Sequence, residues 1–218
     1  MRSSASTPSP PADGEIPLYL VRVGDDHPKA CTGRRLLDRR LATAPPARSR
    51  RAARALLLDP YAPTPVSAAD AALARRGGVI VVDCSWNRLS DRGRFEPGTV
   101  PGAGGAAHRR LPWLLAANPQ HYGRLAELNT VEALAATLHL LGEAPRARAL
   151  LEGFSGGPGF FTINAEALAA YSAATNADEV RAAERRRFGG GARAPRTRDP
   201  RYRDVPPGRR PGKPDGPA

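Results

Sequence analysis

Short apolar runs alternate with helical spacings along the first half of the chain, whereas the second half carries helical spacings alone. Residues 16–23 (IPLYLVRV), 56–58 (LLL) and 79–82 (VIVV) are continuous apolar stretches, the last bounded by a glycine pair and Asp83. Runs this short, apolar at every position and separated by helical segments, predict strands buried in a parallel sheet. Between them, residues 33–41 (GRRLLDRRL) and 67–75 (SAADAALAR) have helical spacing, and Ser67 with Asp70 opens the second as a capped helix. After about Gly98 the strand signal stops. Residues 111–117, 130–141, 144–151 and 165–174 predict helices, with Asn129 or Thr130 capping the second of these and Glu132 in its first turn. The pattern divides the chain into an α/β domain over residues 16–110 and a helical domain over residues 111–188. A Gly/Pro/Arg-rich loop at residues 92–107 (RGRFEPGTVPGAGGAA) joins them, and a loop of that length in a compact protein is expected to be functional or mobile. The glycine-rich SGGPGFF at residues 155–161 lacks the Lys-Ser/Thr of a phosphate-binding loop and reads as a tight connector. Residues 1–15 and 189–218 hold too little apolar surface to pack and are expected to be disordered, the second as a basic tail.

Composition narrows the function classes. The chain has 218 residues, 41% of them hydrophobic, so its middle is long enough to bury a real core. Its formal net charge is +12, from 33 Lys and Arg against 21 Asp and Glu. Most of that surplus is a compositional bias toward Arg, Ala, Gly and Pro, and the remainder suits a polyanionic partner such as RNA. Cys31 and Cys84 lie in no CxxC or CxxH pattern, which argues against a structural zinc site or a disulfide scaffold and fits a reducing compartment. No apolar run is long enough to span a bilayer, and the N-terminus lacks the apolar stretch of a signal peptide, so a cytoplasmic protein with no membrane partner is expected.

Three segments concentrate residues that carry chemistry. DDHPKACTG, residues 25–33, follows the first strand and precedes a helix; Lys29, Thr32 and Gly33 there either hold an anionic group or simply cap the helix. VVDCSWNRL, residues 81–89, places Asp83 at the C-terminal end of a parallel strand, where open α/β sheets bind ligands, with the large face of Trp86 three residues on. Asp83 is then either a general base or a cap for the next turn, and Trp86 either a pocket wall or core. LPWLLAANPQHYGRLAELNTVE, residues 111–132, sets two turn signals, Asn118-Pro119 and Tyr122-Gly123, inside an apolar region. His108, His121 and His139 are scattered and read as structural or surface residues, and no side-chain pattern calls for a metal.

In order, CTGRRL, VVDCSW, LPWLLAANPQHYGRLAELNTVEALAA and GPGFFTINAEALAAY resemble the small-subunit ribosomal RNA aminocarboxypropyltransferases of archaea and eukaryotes, over residues 19–184. The resemblance implies an α/β fold of SPOUT-like type, a mainly parallel sheet with a deep trefoil knot, followed by a helical C-terminal domain. It implies S-adenosylmethionine (SAM) as the donor substrate, bound in the knot. Thr32 and Thr130 would contact its amino-acid end, the backbone around Leu58, Val82, Leu111 and Ala126 its ribose and adenine, and Trp86 its methyl group, with Asp83 near the reacting carbon. Such a protein would act as a monomer on small-subunit rRNA or a pre-ribosomal subunit. Two departures stand out: the family's HCDPKKCTG stretch reads DDHPKACTG here, and Ala126 replaces a frequent aromatic residue. A SAM-dependent rRNA methyltransferase and a non-catalytic assembly factor are the rival expectations.

Overall fold

The computed structural model describes residues 14–22, 32–46, 49–83, 100 and 103–189. Four strands form one sheet: β1 (Leu18–Arg22), β2 (Leu56–Leu58), β3 (Val79–Asp83) and β4 (Ala107–Arg109), in the order β1-β3-β2-β4. Every pairing is parallel, with Leu18 opposite Val79, Arg22 opposite Asp83 and Leu58 opposite Arg109. The C-terminal ends of all four strands therefore lie along a single edge.

Alternation of side chains explains why the strand sequences are apolar throughout. Leu18, Leu20, Leu56, Leu58, Val79 and Val81 face the main core, which they share with the helices. Tyr19, Val21, Leu57 and Ile80 point the other way, into a smaller cluster with Ala52, Ala55, Val100 and Ala103. Both faces are covered, so no position could be polar without a partner.

Two short helices belong to the sheet half, α1 (Thr32–Asp38) and α2 (Ala71–Gly77). Ser67 and Asp70 form the expected capping box, at a 3₁₀ turn that leads into α2. Five more follow: α3 (Thr130–Leu140), α4 (Ala144–Leu151), α5 (Gly157–Ile163), α6 (Ala165–Ser172) and α7 (Ala177–Phe188). Leu134, Leu138, Leu150, Phe160, Tyr171 and Val180 join the main core. None of the described helices is long and apolar enough to cross a membrane.

Three expectations are corrected. Strands do not end at Gly98: residues 107–109, which begin at the last residue of the expected loop, form β4, a half-buried strand paired, among the described residues, with β2. Its sequence, AHR, offers no apolar run, and the strand it pairs with lies far back in the chain. Residues 111–117 are not helical. They run as an irregular segment whose Leu115 bridges Leu125 in antiparallel fashion. Side chains from distant helices replace the helical ladder there, the Trp113 N–H donating to Glu184 (2.9 Å) and the Leu115 N–H to Asn164 (2.8 Å). Finally, the supposed connector at 155–161 enters α5, with Pro158 in the first turn, where its missing N–H costs nothing.

Candidate active site

Asp83 ends β3 at the C-terminal edge of the sheet, and two helix starts converge on it. Thr130, the first residue of α3, donates its hydroxyl to Asp83 Oδ1 in a short hydrogen bond. That hydroxyl is available because Asn129 does the capping: its Oδ1 accepts from the Glu132 N–H (2.9 Å), and Glu132 Oε2 accepts from the Asn129 N–H (2.9 Å). The sequence left the cap open between Asn129 and Thr130, and the structure assigns it to Asn129. From the other side comes Gly33, the second residue of α1. A Cβ at position 33 would lie 2.1 Å from Asp83 Oδ2 and 2.5 Å from Cγ, so only glycine allows α1 this close to the carboxylate.

Glu132 organises what surrounds Thr130. It is 1% exposed, and besides Asn129 it accepts from the Ala117 N–H (2.8 Å) and from Asn118 Nδ2 (2.7 Å). One buried carboxylate thereby fixes the start of α3 and the irregular segment that leads up to it. Charged acceptors of this kind make strong hydrogen bonds, and the site they frame is held rigidly. Ala126, in the returning arm of the segment, has φ 61° and donates its N–H to the Leu114 carbonyl (2.8 Å). A left-handed alanine costs about 1–3 kcal/mol, a strain that persists only where the surroundings impose it and that clusters at functional sites.

The remaining expected site residues fall as follows. Thr32 opens α1, half-buried and adjacent to Gly33. Leu58 ends β2, and Val82 precedes Asp83 in β3, opposite Val21. Leu111 follows β4 by two residues and packs, half-buried, against the main core. The structure thus joins Asp83, Thr130 and the start of α1 directly, and sets Leu58 and Val82 on the same sheet edge. Trp86, Lys29, Cys31 and Cys84 lie outside the described residues.

Several anchoring residues escaped the sequence reading. Asp59, immediately after β2, is fully buried, bonds His108 Nδ1 at 2.9 Å and accepts from the Tyr61 N–H at 3.0 Å. The motif LLLD repeats the pattern of VIVVD, an acid closing an apolar strand, and could have flagged it. Arg109 pairs with Asp70 (3.0 Å), and Arg110 grips Glu184 through both guanidinium nitrogens (2.6 and 2.7 Å). These partners lie 39 and 74 residues apart, beyond any local signal. His121 bonds Glu127, so neither it nor His108 is a loose surface residue.

A half-buried carboxylate held by a hydroxyl, at the ligand-binding edge of a parallel sheet, is suited to accept a proton or to orient a donor. Residues 56–188 match the family model described as ribosome biogenesis protein, C-terminal. A 16S rRNA aminocarboxypropyltransferase of Methanosarcina mazei is 39% identical over 166 residues, 76% of this chain and 91% of that protein. One from Saccharolobus solfataricus is 35% identical over 161 residues, 74% of this chain and 90% of that protein. Among solved structures, the SAM-dependent rRNA acp-transferase of Vulcanisaeta distributa matches with a TM-score of 0.65 and 33% identity, covering 77% of this chain and 89% of that one.

Proposed function

This chain belongs to the small-subunit ribosomal RNA aminocarboxypropyltransferase family, and from that premise we infer that it transfers the 3-amino-3-carboxypropyl group of SAM to N3 of a uridine-type base in small-subunit rRNA. The observation that carries the reading within this chain is the meeting of Asp83, Thr130 and Gly33 at the C-terminal edge of the sheet. The residues present fit the donor. The backbone around Leu58, Val82, Leu111 and Ala126 suits the ribose and adenine, and the hydroxyls of Thr32 and Thr130 suit a polar amino-acid end. The family resemblance assigns the methyl group to Trp86, which lies outside the described residues. SAM supplies, when bound, a γ-carbon made electrophilic by the adjacent sulfonium.

The uridine N3 attacks that carbon, the carbon–sulfur bond breaks with its electron pair moving to sulfur, and methylthioadenosine leaves as a neutral thioether. Asp83 accepts the N3 proton while Thr130 holds its carboxylate in place. The chain acts mainly by positioning, since the leaving group is already activated. The same reading takes the fold as SPOUT-like with a trefoil knot; the order β1-β3-β2-β4, in which β3 inserts between earlier strands, supports it. The enzyme works as a cytoplasmic monomer on small-subunit rRNA or a pre-ribosomal subunit, with the net charge of +12 favouring the polyanion.

Mass spectrometry of small-subunit rRNA from cells lacking the gene tests this. Loss of an aminocarboxypropyl-modified uridine is expected. Persistence of that modification would refute the reading, and loss of a methyl group in its place would assign a methyltransferase.

A further inference from the structure

Tyr122 is the exposed large hydrophobic side chain among the described residues, with 67% of its surface open to solvent. It stands at the tip of the turn between residues 118 and 124, and the turn is built to hold it still. The His121 N–H donates to Asn118 Oδ1 (3.1 Å), the Arg124 N–H to the His121 carbonyl (2.9 Å) and the Gly123 N–H to the Ala116 carbonyl (2.8 Å). Gly123 has φ 76°, a left-handed conformation that glycine adopts without penalty and that turns the chain back beside Tyr122. Asn118 is 3% exposed and is anchored by Glu132, so the tip is tied through buried polar groups to the helix whose first residue holds Asp83. A turn that merely linked two segments would need neither an exposed aromatic ring nor a buried carboxylate beneath it. Two residues along the chain, the side chain of Arg124 is 62% exposed and pairs with Glu127 at 3.3 Å. Eight residues separate Tyr122 from Thr130, at most about 29 Å of extended chain.

We propose that Tyr122 is a stacking platform for an unpaired RNA base neighbouring the reacting uridine, and that Arg124 contacts the adjoining phosphate. The chemistry is that of single-strand recognition, in which every base offers a π-face to a rigid aromatic ring and a nearby cation tracks the backbone. The hydrogen-bonded turn matters because a backbone already fixed leaves less entropy to lose when the ring binds. The uridine N3 is a Watson–Crick donor in a duplex, so the target base must be unpaired to react, and its neighbours need an alternative to the stack they leave. The inference rests on the RNA-modifying activity proposed above and names how its substrate is held.

The test uses the full chain and a small-subunit rRNA hairpin whose loop carries the target uridine next to 2-aminopurine, a fluorescent base quenched by stacking. Tyr122→Ala should weaken RNA binding about 5–150-fold and abolish the quench, the range for losing one base–aromatic stack. SAM affinity and Tm should stay at wild-type values, because most of the ring is open to solvent. Tyr122→Phe should behave as wild type, since stacking does not use the hydroxyl. Arg124→Ala should lower the slope of log affinity against log salt by about one. Wild-type affinity and quench in Tyr122→Ala would overturn the platform, as would a wild-type chain that does not bind the hairpin, and an unchanged salt slope in Arg124→Ala would overturn the phosphate contact. If the wild type binds the hairpin but forms no methylthioadenosine, the transfer activity is refuted, while the affinity of Tyr122→Ala still decides the platform.

Discussion

Replacing Gly33 by alanine should damage this protein even though the position is helical, and the damage should depend on Asp83. In an unconstrained helix the exchange would stabilise by up to about 1 kcal/mol. Here the new Cβ would sit 2.1 Å from Asp83 Oδ2 and 2.5 Å from Cγ. Carbon and oxygen need about 3.3 Å even in a close contact, so the carboxylate must retreat by roughly 1 Å or α1 must lift. The first movement breaks the hydrogen bond from Thr130 to Asp83, worth about 1.5–3 kcal/mol for a charged acceptor, and the second draws the buried Leu36 of α1 out of the main core, a loss of similar size. The balance is a net loss of about 1–2 kcal/mol, a Tm fall of about 2–8 °C for a chain of this size. Asp83→Ala removes Oδ2 and Cγ and leaves only its own Cβ, 3.0 Å from the new methyl group. That contact is still about 0.5 Å short for two carbons, so in that background Gly33→Ala should cost clearly less than in the wild type, giving a coupling of about 1 kcal/mol between the two positions. Thermal unfolding of wild type, both single variants and the double variant measures it. Equal effects of Gly33→Ala in both backgrounds, or a rise in Tm in the wild-type background, would refute the close approach of α1 to the carboxylate.

Three further outcomes are expected. Asp83→Asn should bind SAM with near wild-type affinity but slow single-turnover transfer by about 10²–10⁴, with part of the rate recovered as pH rises toward the N3 pKa; transfer at the wild-type rate at neutral pH would remove the proton-accepting role. Glu132→Ala strands the buried donors at Ala117 and Asn118 and the half-buried one at Asn129, at about 1–3 kcal/mol for each buried donor, so chemical denaturation should show a loss above about 2 kcal/mol; a loss under 1 kcal/mol would show that other groups hold the segment. The imidazole of His139 is held below its usual 6.5, first by burial and then by the Arg148 guanidinium, and its Nδ1 has no hydrogen-bond partner among the described residues. The unfolded chain therefore takes up a proton there as pH falls below about 6.5 while the folded chain resists, so stability declines on acidification; Tm should fall less steeply with pH in His139→Gln, and an identical slope would contradict this.

What was legible in the sequence depended on whether the determinants were local. VIVV and LLL announced buried strands because both sheet faces are covered, and Asp83 was placed correctly at the strand end by its position alone. The start of α3 was legible from NTVE, since a capping box is confined to four residues. β4 was not, because AHR gains its strand geometry from pairing with Leu56–Leu58 rather than from its own side chains. Residues 111–117 looked helical because Leu111, Leu114 and Leu115 have helical spacing. The groups that hold them extended, Glu132, Asn164, Tyr171 and Glu184, arrive from positions 15 to 71 residues away. The exposed ring of Tyr122 could not be inferred from an apolar-looking segment, since exposure is a property of the folded turn. The close contact of Gly33 with Asp83 joins two segments that the sequence marked separately.

The central claim is which carbon attached to the SAM sulfur is transferred, and two labels decide it. Purified chain is incubated with small-subunit rRNA and with SAM labelled either in the methyl group or in the aminocarboxypropyl chain, and the RNA and small-molecule fractions are then counted. The account predicts that the aminocarboxypropyl label enters the RNA while the methyl label stays in methylthioadenosine. Methyl label in the RNA, with the other label recovered in S-adenosylhomocysteine, would contradict it.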